Sequence, residues 1–140
     1  LYIVTSELYI LLAYCCFNHC RLYDRKYRKG YKGIDAVIDK DRTSARLALD
    51  LKADMLLILT AVDSVYINYK EEDEQKLRKM TVAEAKEFMK SKEFSEGSML
   101  PKVEACIDFA SKSNGYAMIT SLKKAKLAIE GKAGTVISKK

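Results

Sequence analysis

The stretch EGSMLPKVEACIDFA, residues 96–110, runs from a loop into a helix and sets Lys102 in the opening turn. A helix start carries partial positive charge, worth roughly 0.3–1 kcal/mol against an exposed cation there. A bound phosphate reverses that sign. Gly97, Ser98, the free N–H groups of a helix start and a lysine together make an anion cradle. The bland alternative is a solvated lysine pointing outward. Two further groups of polar residues fall at expected strand ends: Lys40 with Asp41, and Thr60 with Asp63. Each also has an ordinary reading. Asp41 could cap a helix, Asp63 could close a turn, and Lys40 could form a weak surface ion pair. No Walker-type loop and no G-x-G-x-x-G motif occurs.

The elements that must position these groups follow from the pattern of apolar residues. IDAVIDKD (34–41) reads as a short strand ending in a polar loop. RTSARLALDLKA (42–53) follows as a helix, with Ala45, Ala48, Leu49 and Lys52 at helical spacing and Leu47 and Leu51 widening the apolar face. MLLILT, within 53–60, is a continuous apolar run suited to a strand covered on both faces. VYINY (65–69) is β-branched and aromatic, a second strand. The charge run KEEDEQKLRK (70–79) reads as a solvated loop. Thr81 and Glu84 have capping-box spacing at the start of a helix over 81–90. Ser98 or Leu100 caps the next helix, with Pro101 in its first turn and Met99, Val103, Cys106, Ile107 and Ala110 on its core face. NGYAMITS (114–121) is a turn and a strand. Residues 122–131 form a helix with Leu122, Ala125 and Ile129 inward, stopped by Gly131, and GTVIS (134–138) is a last strand. Alternation of this kind implies an α/β sandwich with a largely parallel sheet. Ligands of such sheets bind at the carboxyl ends of strands.

Composition limits the alternatives. The 140 residues suffice for one domain. The net charge of +6 is uneven: residues 1–32 hold six basic and two acidic groups, and the remainder holds 19 basic and 17 acidic. The larger part is close to neutral and lacks a basic stripe interleaved with aromatics, which argues against nucleic-acid binding. Six of nine tyrosines, three of four cysteines and the single histidine also fall in residues 1–32. That shift marks residues 1–31 as an atypical segment, not native to the domain formed by 32–140. Its apolar run, residues 8–17, is half the length of about 20 that a membrane span needs, so no membrane attachment is expected. Cys15, Cys16, His19 and Cys20 are too tightly spaced for a usual zinc site, and no metal site is expected. The cysteines form no secreted disulfide pattern, which makes the reducing cytoplasm the expected compartment. Cys106 reads as a small buried hydrophobe.

GIDAVIDKD, ADMLLILTAVDSVYINY, KMTVAEAKEF, GSMLPKVEACIDFA and AMITSLKKAKLAIEGKAGTVI together resemble the C-terminal half of the carbamate kinases, in the amino acid kinase superfamily. The resemblance runs without gaps over about residues 32–138. It implies an α/β three-layer sandwich, a partial amino acid kinase fold, that binds ATP or ADP with Mg²⁺. The implied reaction is phosphoryl transfer between ATP/ADP and carbamate/carbamoyl phosphate, set in arginine breakdown by the arginine deiminase route. By resemblance, Lys40 faces the transferring phosphoryl group, Asp41 organises the lysines around it, and Lys102 holds nucleotide phosphates. Thr60, Val62, Asp63, Val65 and Tyr66 line the nucleotide pocket, with Met99 beside the base. Two departures stand out. The glycine-rich N-terminal half, which in the family supplies the carbamoyl phosphate pocket and much of a homodimer contact, has no counterpart, so a fragment of low activity is expected. The alternative is a non-catalytic nucleotide-binding fragment or pseudoenzyme. Arg42 and Arg46 also stand where the family has apolar or small residues, and a clash with helix packing is expected if either is buried unpaired.

Overall fold

The computed structural model describes residues 2–5, 39–91, 93–94 and 99–140. The strand expected over 34–38, the cysteine cluster, the apolar run 8–17, Gly97 and Ser98 lie outside the described residues.

The elements are β1 (Tyr2–Thr5), α1 (Lys40–Asp50), β2 (Met55–Thr60), β3 (Val65–Ile67), β4 (Gln75–Leu77), β5 (Lys79–Thr81), α2 (Val82–Lys90), α3 (Leu100–Lys112), β6 (Tyr116–Ser121), a 3₁₀ turn (Leu122–Lys124), α4 (Ala125–Ile129) and β7 (Thr135–Ser138). Five strands form one sheet in the order β1-β2-β6-β7-β5, and β3 and β4 form a separate antiparallel hairpin. β1, β2 and β6 run parallel, β7 is antiparallel to β6, and β5 is parallel to β7. Thr60 at the end of β2 pairs with Ser121 at the end of β6. These two carboxyl ends therefore open on the same side.

The apolar run of β2 is divided between two faces, as the period of two requires. Leu56 and Ile58 join Ala117, Ile119 and Ile137 under α1, α2 and α3. Met55 and Leu57 join Met118 and Ala128 of α4 on the opposite face. Helices on both faces of a mostly parallel sheet make the three-layer α/β sandwich. α1 meets the core through Ser44, Ala45 and Ala48 and α3 through Ala105 and larger neighbours. Small side chains let these helices approach closely. Thr81 caps α2: its hydroxyl accepts from the Glu84 amide, and the Glu84 carboxylate accepts from the Thr81 amide at 2.7 Å.

Six expectations are corrected. α1 begins at Lys40, so Lys40 and Asp41 are helical; Asp39 is the cap, its Oδ1 accepting from the Arg42 amide at 2.8 Å. The charge run is not all loop: Gln75–Leu77 pairs with β3, and Lys79 begins β5. Met99, with no side-chain cap bond, precedes α3 in place of Ser98 or Leu100. Leu122 and Ile129 are exposed, and Ala128 is the buried residue of α4, because the 3₁₀ turn rotates the helix face. Leu51 is likewise exposed. Arg42 and Arg46 do not clash; both side chains are exposed, pairing with Glu104 at 2.6 Å and Asp50 at 3.1 Å. Gly131, at φ +75°, ends α4 in a backbone region that costs glycine least.

Candidate nucleotide site at the strand ends

Two helix starts meet beside the open end of the sheet. Asp41, in the first turn of α1, accepts from the ammonium of Lys102, in the first turn of α3, at 3.0 Å. Their side chains are 5% and 13% exposed, so the pair is nearly dry. Lys102 is thus not a solvated surface lysine: a carboxylate 61 positions distant holds it. The backbone part of the expected cradle is weaker. Pro101 has no N–H, and the amides of Lys102 and Val103 both donate to the Met99 carbonyl. The ammonium is therefore the main donor that this turn presents. Lys40 stands beside the pair at the start of α1 with its side chain exposed. Cys106 is fully buried, and burial together with Asp41 pushes its thiol up out of the reactive range.

The second group forms around Asp63, in the turn between β2 and β3. Its carboxylate accepts from Lys124 at 2.6 Å, Lys76 at 2.7 Å and the Tyr66 hydroxyl at 2.5 Å. These three donors, Lys124 first, hold Asp63 well below the usual carboxylate range. The Tyr66 hydroxyl is in turn pushed up to about 12, chiefly by its bond to Asp63. The Asp63 carbonyl accepts from Thr120 and Ser64. The hairpin is pinned from behind by Thr135, whose hydroxyl accepts from the Val65 amide at 2.7 Å and donates to the Leu77 carbonyl at 2.6 Å.

Two clefts flank the Thr60–Val62 segment. The larger, about 690 Å³, is bounded by Asp63, Tyr66, Lys70, Ser121 and Lys123. The smaller, about 130 Å³, lies between Tyr66, Tyr69, Phe94, Met99 and Glu93. The expected site residues separate accordingly. Thr60, Val62 and Tyr66 line both clefts, Asp63 the larger and Met99 the smaller. Val65 is fully buried and lines neither. Lys40, Asp41 and Lys102 form the polar group beyond Met99. Sequence reasoning missed Lys76, Lys124, Tyr69 and Glu93. Lys76 is masked by its charge run. Tyr69 alone had a signal, sitting three residues from Tyr66 in an aromatic strand.

Among the described residues no cluster of His, Cys, Asp or Glu could hold a metal ion, and no helix is long and apolar enough to cross a membrane. Asp41 and Asp63 are both committed to lysines.

Comparisons with known proteins agree with this architecture. Carbamate kinase 1 of Staphylococcus epidermidis (strain ATCC 12228 / FDA PCI 1200) is 48% identical over 116 residues, 82% of this chain and 37% of that protein. The carbamate kinase of Staphylococcus haemolyticus (strain JCSC1435) is 51% identical over 115 residues, 81% of this chain and 37% of that protein. The chain therefore spans just over a third of the length of these relatives. The structure of carbamate kinase from Giardia lamblia bound to AMP-PNP superposes with a TM-score of 0.78 at 44% identity, covering 81% of this chain and 40% of that one. The model of the amino acid kinase family matches residues 27–121. On that match, which takes in α1 through β6 with Asp41, Asp63 and Lys102, the chain belongs to the amino acid kinase family.

Proposed function

We propose that residues 32–140 form the nucleotide-binding half of a carbamate kinase, which moves a phosphoryl group between ATP/ADP and carbamate/carbamoyl phosphate. The observation that carries this reading is the Lys102–Asp41 pair where two helix starts meet, next to an aromatic cleft. In the proposed site the base lies near Met99, and Thr60, Val62, Asp63 and Tyr66 bound the rest of the nucleotide. Val65 supports the wall from behind. The phosphates extend to Lys102 and Lys40. Phosphoryl transfer needs alignment and positive charge more than covalent chemistry from the protein. Lys102 offers a charge already desolvated and oriented by Asp41, so little reorganisation is needed when the phosphates arrive. Lys40, exposed on the first turn of α1, is free to follow the transferring group.

The described residues do not themselves form a Mg²⁺ cage. Mg²⁺ commonly binds mainly through substrate phosphates and water, and it is proposed here only as part of the nucleotide complex. The proposed setting is cytoplasmic arginine breakdown, with a homodimer as in the resemblance. Nucleotide binding without turnover is the second reading.

Calorimetric titration of the full chain with ADP tests both readings. Binding is expected, weakened at least about tenfold by Lys102→Met; no heat at millimolar ADP overturns them. Luminescent detection of ATP formed from ADP and carbamoyl phosphate then separates kinase from binding fragment.

A further inference from the structure

We infer that Glu93 selects the base: its carboxylate accepts a hydrogen bond from the amino group of adenine in the smaller cleft. This rests on the nucleotide reading above and adds a specificity residue to it. The walls of that cleft are flat and apolar. Tyr66 and Tyr69 stand with ring centroids 5.7 Å apart and tilted by 45°. Phe94 is buried and meets Phe88 edge-on at 6.2 Å. Met99 closes the side toward α3. The Tyr66 ring is fixed in place, because its hydroxyl donates to Asp63 and the Lys76 ammonium lies 5.8 Å from its centroid.

Among the described residues Glu93 is the one ionisable wall of this cleft that is not a tyrosine. Its backbone amide donates to the Phe88 carbonyl, which fixes the residue at the end of α2. Among the described residues no hydrogen bond or ion pair reaches its carboxylate. A part-buried carboxylate on the wall of an aromatic cleft gains from an occupant that supplies hydrogen-bond donors. A cavity of about 130 Å³ is below the ~300 Å³ usual for a whole ligand, so only part of one enters. A planar ring with an amino group on its edge meets each requirement: aromatic faces for the ring, a carboxylate for the donor. The cleft also touches Met99, three residues before Lys102.

The test compares binding of ADP, purine riboside diphosphate, which lacks the amino group, and 2′-deoxyADP to the full chain and to Glu93→Ala and Glu93→Gln. The wild-type chain is expected to prefer ADP over the purine analogue by at least about tenfold, the usual range for a hydrogen bond to a charged group. Glu93→Ala brings that ratio close to one. Glu93→Gln, which keeps an acceptor oxygen, restores part of it. The 2′-deoxy analogue binds like ADP throughout. A wild-type chain that binds ADP without preferring it over the purine analogue overturns the inference and leaves the nucleotide site standing. So does a Glu93→Ala chain that keeps the preference, or a preference that follows the 2′-hydroxyl. A wild-type chain that binds none of the three overturns both.

Discussion

Replacing Lys102 by Met removes the ammonium and keeps most of the stem volume. The structure sets the size of the effect. At 3.0 Å and an effective dielectric of about 20, the gross attraction to Asp41 is about 5.5 kcal/mol. Desolvating two ions costs several kcal/mol each, so the intact pair is close to break-even. Removing one partner is different, because the carboxylate at 5% exposure is left without its counter-charge. Such losses run at roughly 3–5 kcal/mol. The lower end applies here, because Asp41 lies in the first turn of α1, where the helix dipole favours an anion by about 0.3–1 kcal/mol. Lys102→Met is therefore expected to lose about 3 kcal/mol, a large part of the ~5–15 kcal/mol of a small domain. The double variant Asp41→Asn with Lys102→Met leaves no buried charge and should recover to within about 1 kcal/mol of the parent. Urea unfolding at pH 7, with slopes compared to confirm equal denatured states, measures both. The two chains are expected to share one defect, loss of ADP affinity, despite their different stabilities. A single variant within about 0.5 kcal/mol of the parent, or a double variant no better than the single, refutes the coupling.

Two further outcomes follow from local geometry. Asp63 is held well below the usual carboxylate range by Lys124, Lys76 and Tyr66, so the folded chain binds its proton less readily than the unfolded one. That stabilisation is fully present above the unfolded value of about 3.9 and is lost as pH falls through the folded value. Because both lysines are more than a third exposed, it amounts to roughly 1–2 kcal/mol; Asp63→Asn should lower the urea midpoint at pH 7, with the gap narrowed at pH 3 and closing only at lower pH, and an equal gap at pH 7 and pH 3 contradicts the assignment. Thr81→Ala removes the hydroxyl half of the α2 capping box and should cost about 1 kcal/mol by thermal unfolding, whereas Thr81→Ser should cost less than half of that.

What the sequence made legible, and what it did not, divides by range. The capping box, the run MLLILT, Pro101 in the first turn of α3 and the stop at Gly131 are local. Each depends on residues within one or two turns of chain, and each is found where the pattern set it. Asp39 was missed as the cap because IDKD offers two aspartates, and only geometry shows which side chain reaches the third helical amide. The strand Gln75–Leu77 was hidden because an exposed hairpin arm needs only one inward apolar residue, here Leu77. The amphipathic reading of 122–131 assumed a continuous α-helix. Three residues of 3₁₀ at its start, with a different turn per residue, were enough to expose Leu122 and Ile129.

The candidate site shows the same division, with one informative exception. Lys102 was conspicuous because a cation at a helix start contradicts local electrostatics, and the contradiction indicated an anion nearby without saying which. Asp41, contributed by the start of a different helix, is the anion that the fold supplies. Its position is locally favourable for the reason that Lys102's is not, so the pair relieves one strained charge with one that is well placed. Asp41 neutralises Lys102, but does not fill the space beyond it. In the proposed site a second anion would meet an ammonium still holding N–H donors, since –NH₃⁺ has three and the carboxylate is shown to take one. Lysine suits the proposed site better than arginine: a compact charge can serve a carboxylate and a phosphate at once, without the planar pairing that would commit a guanidinium to the carboxylate alone.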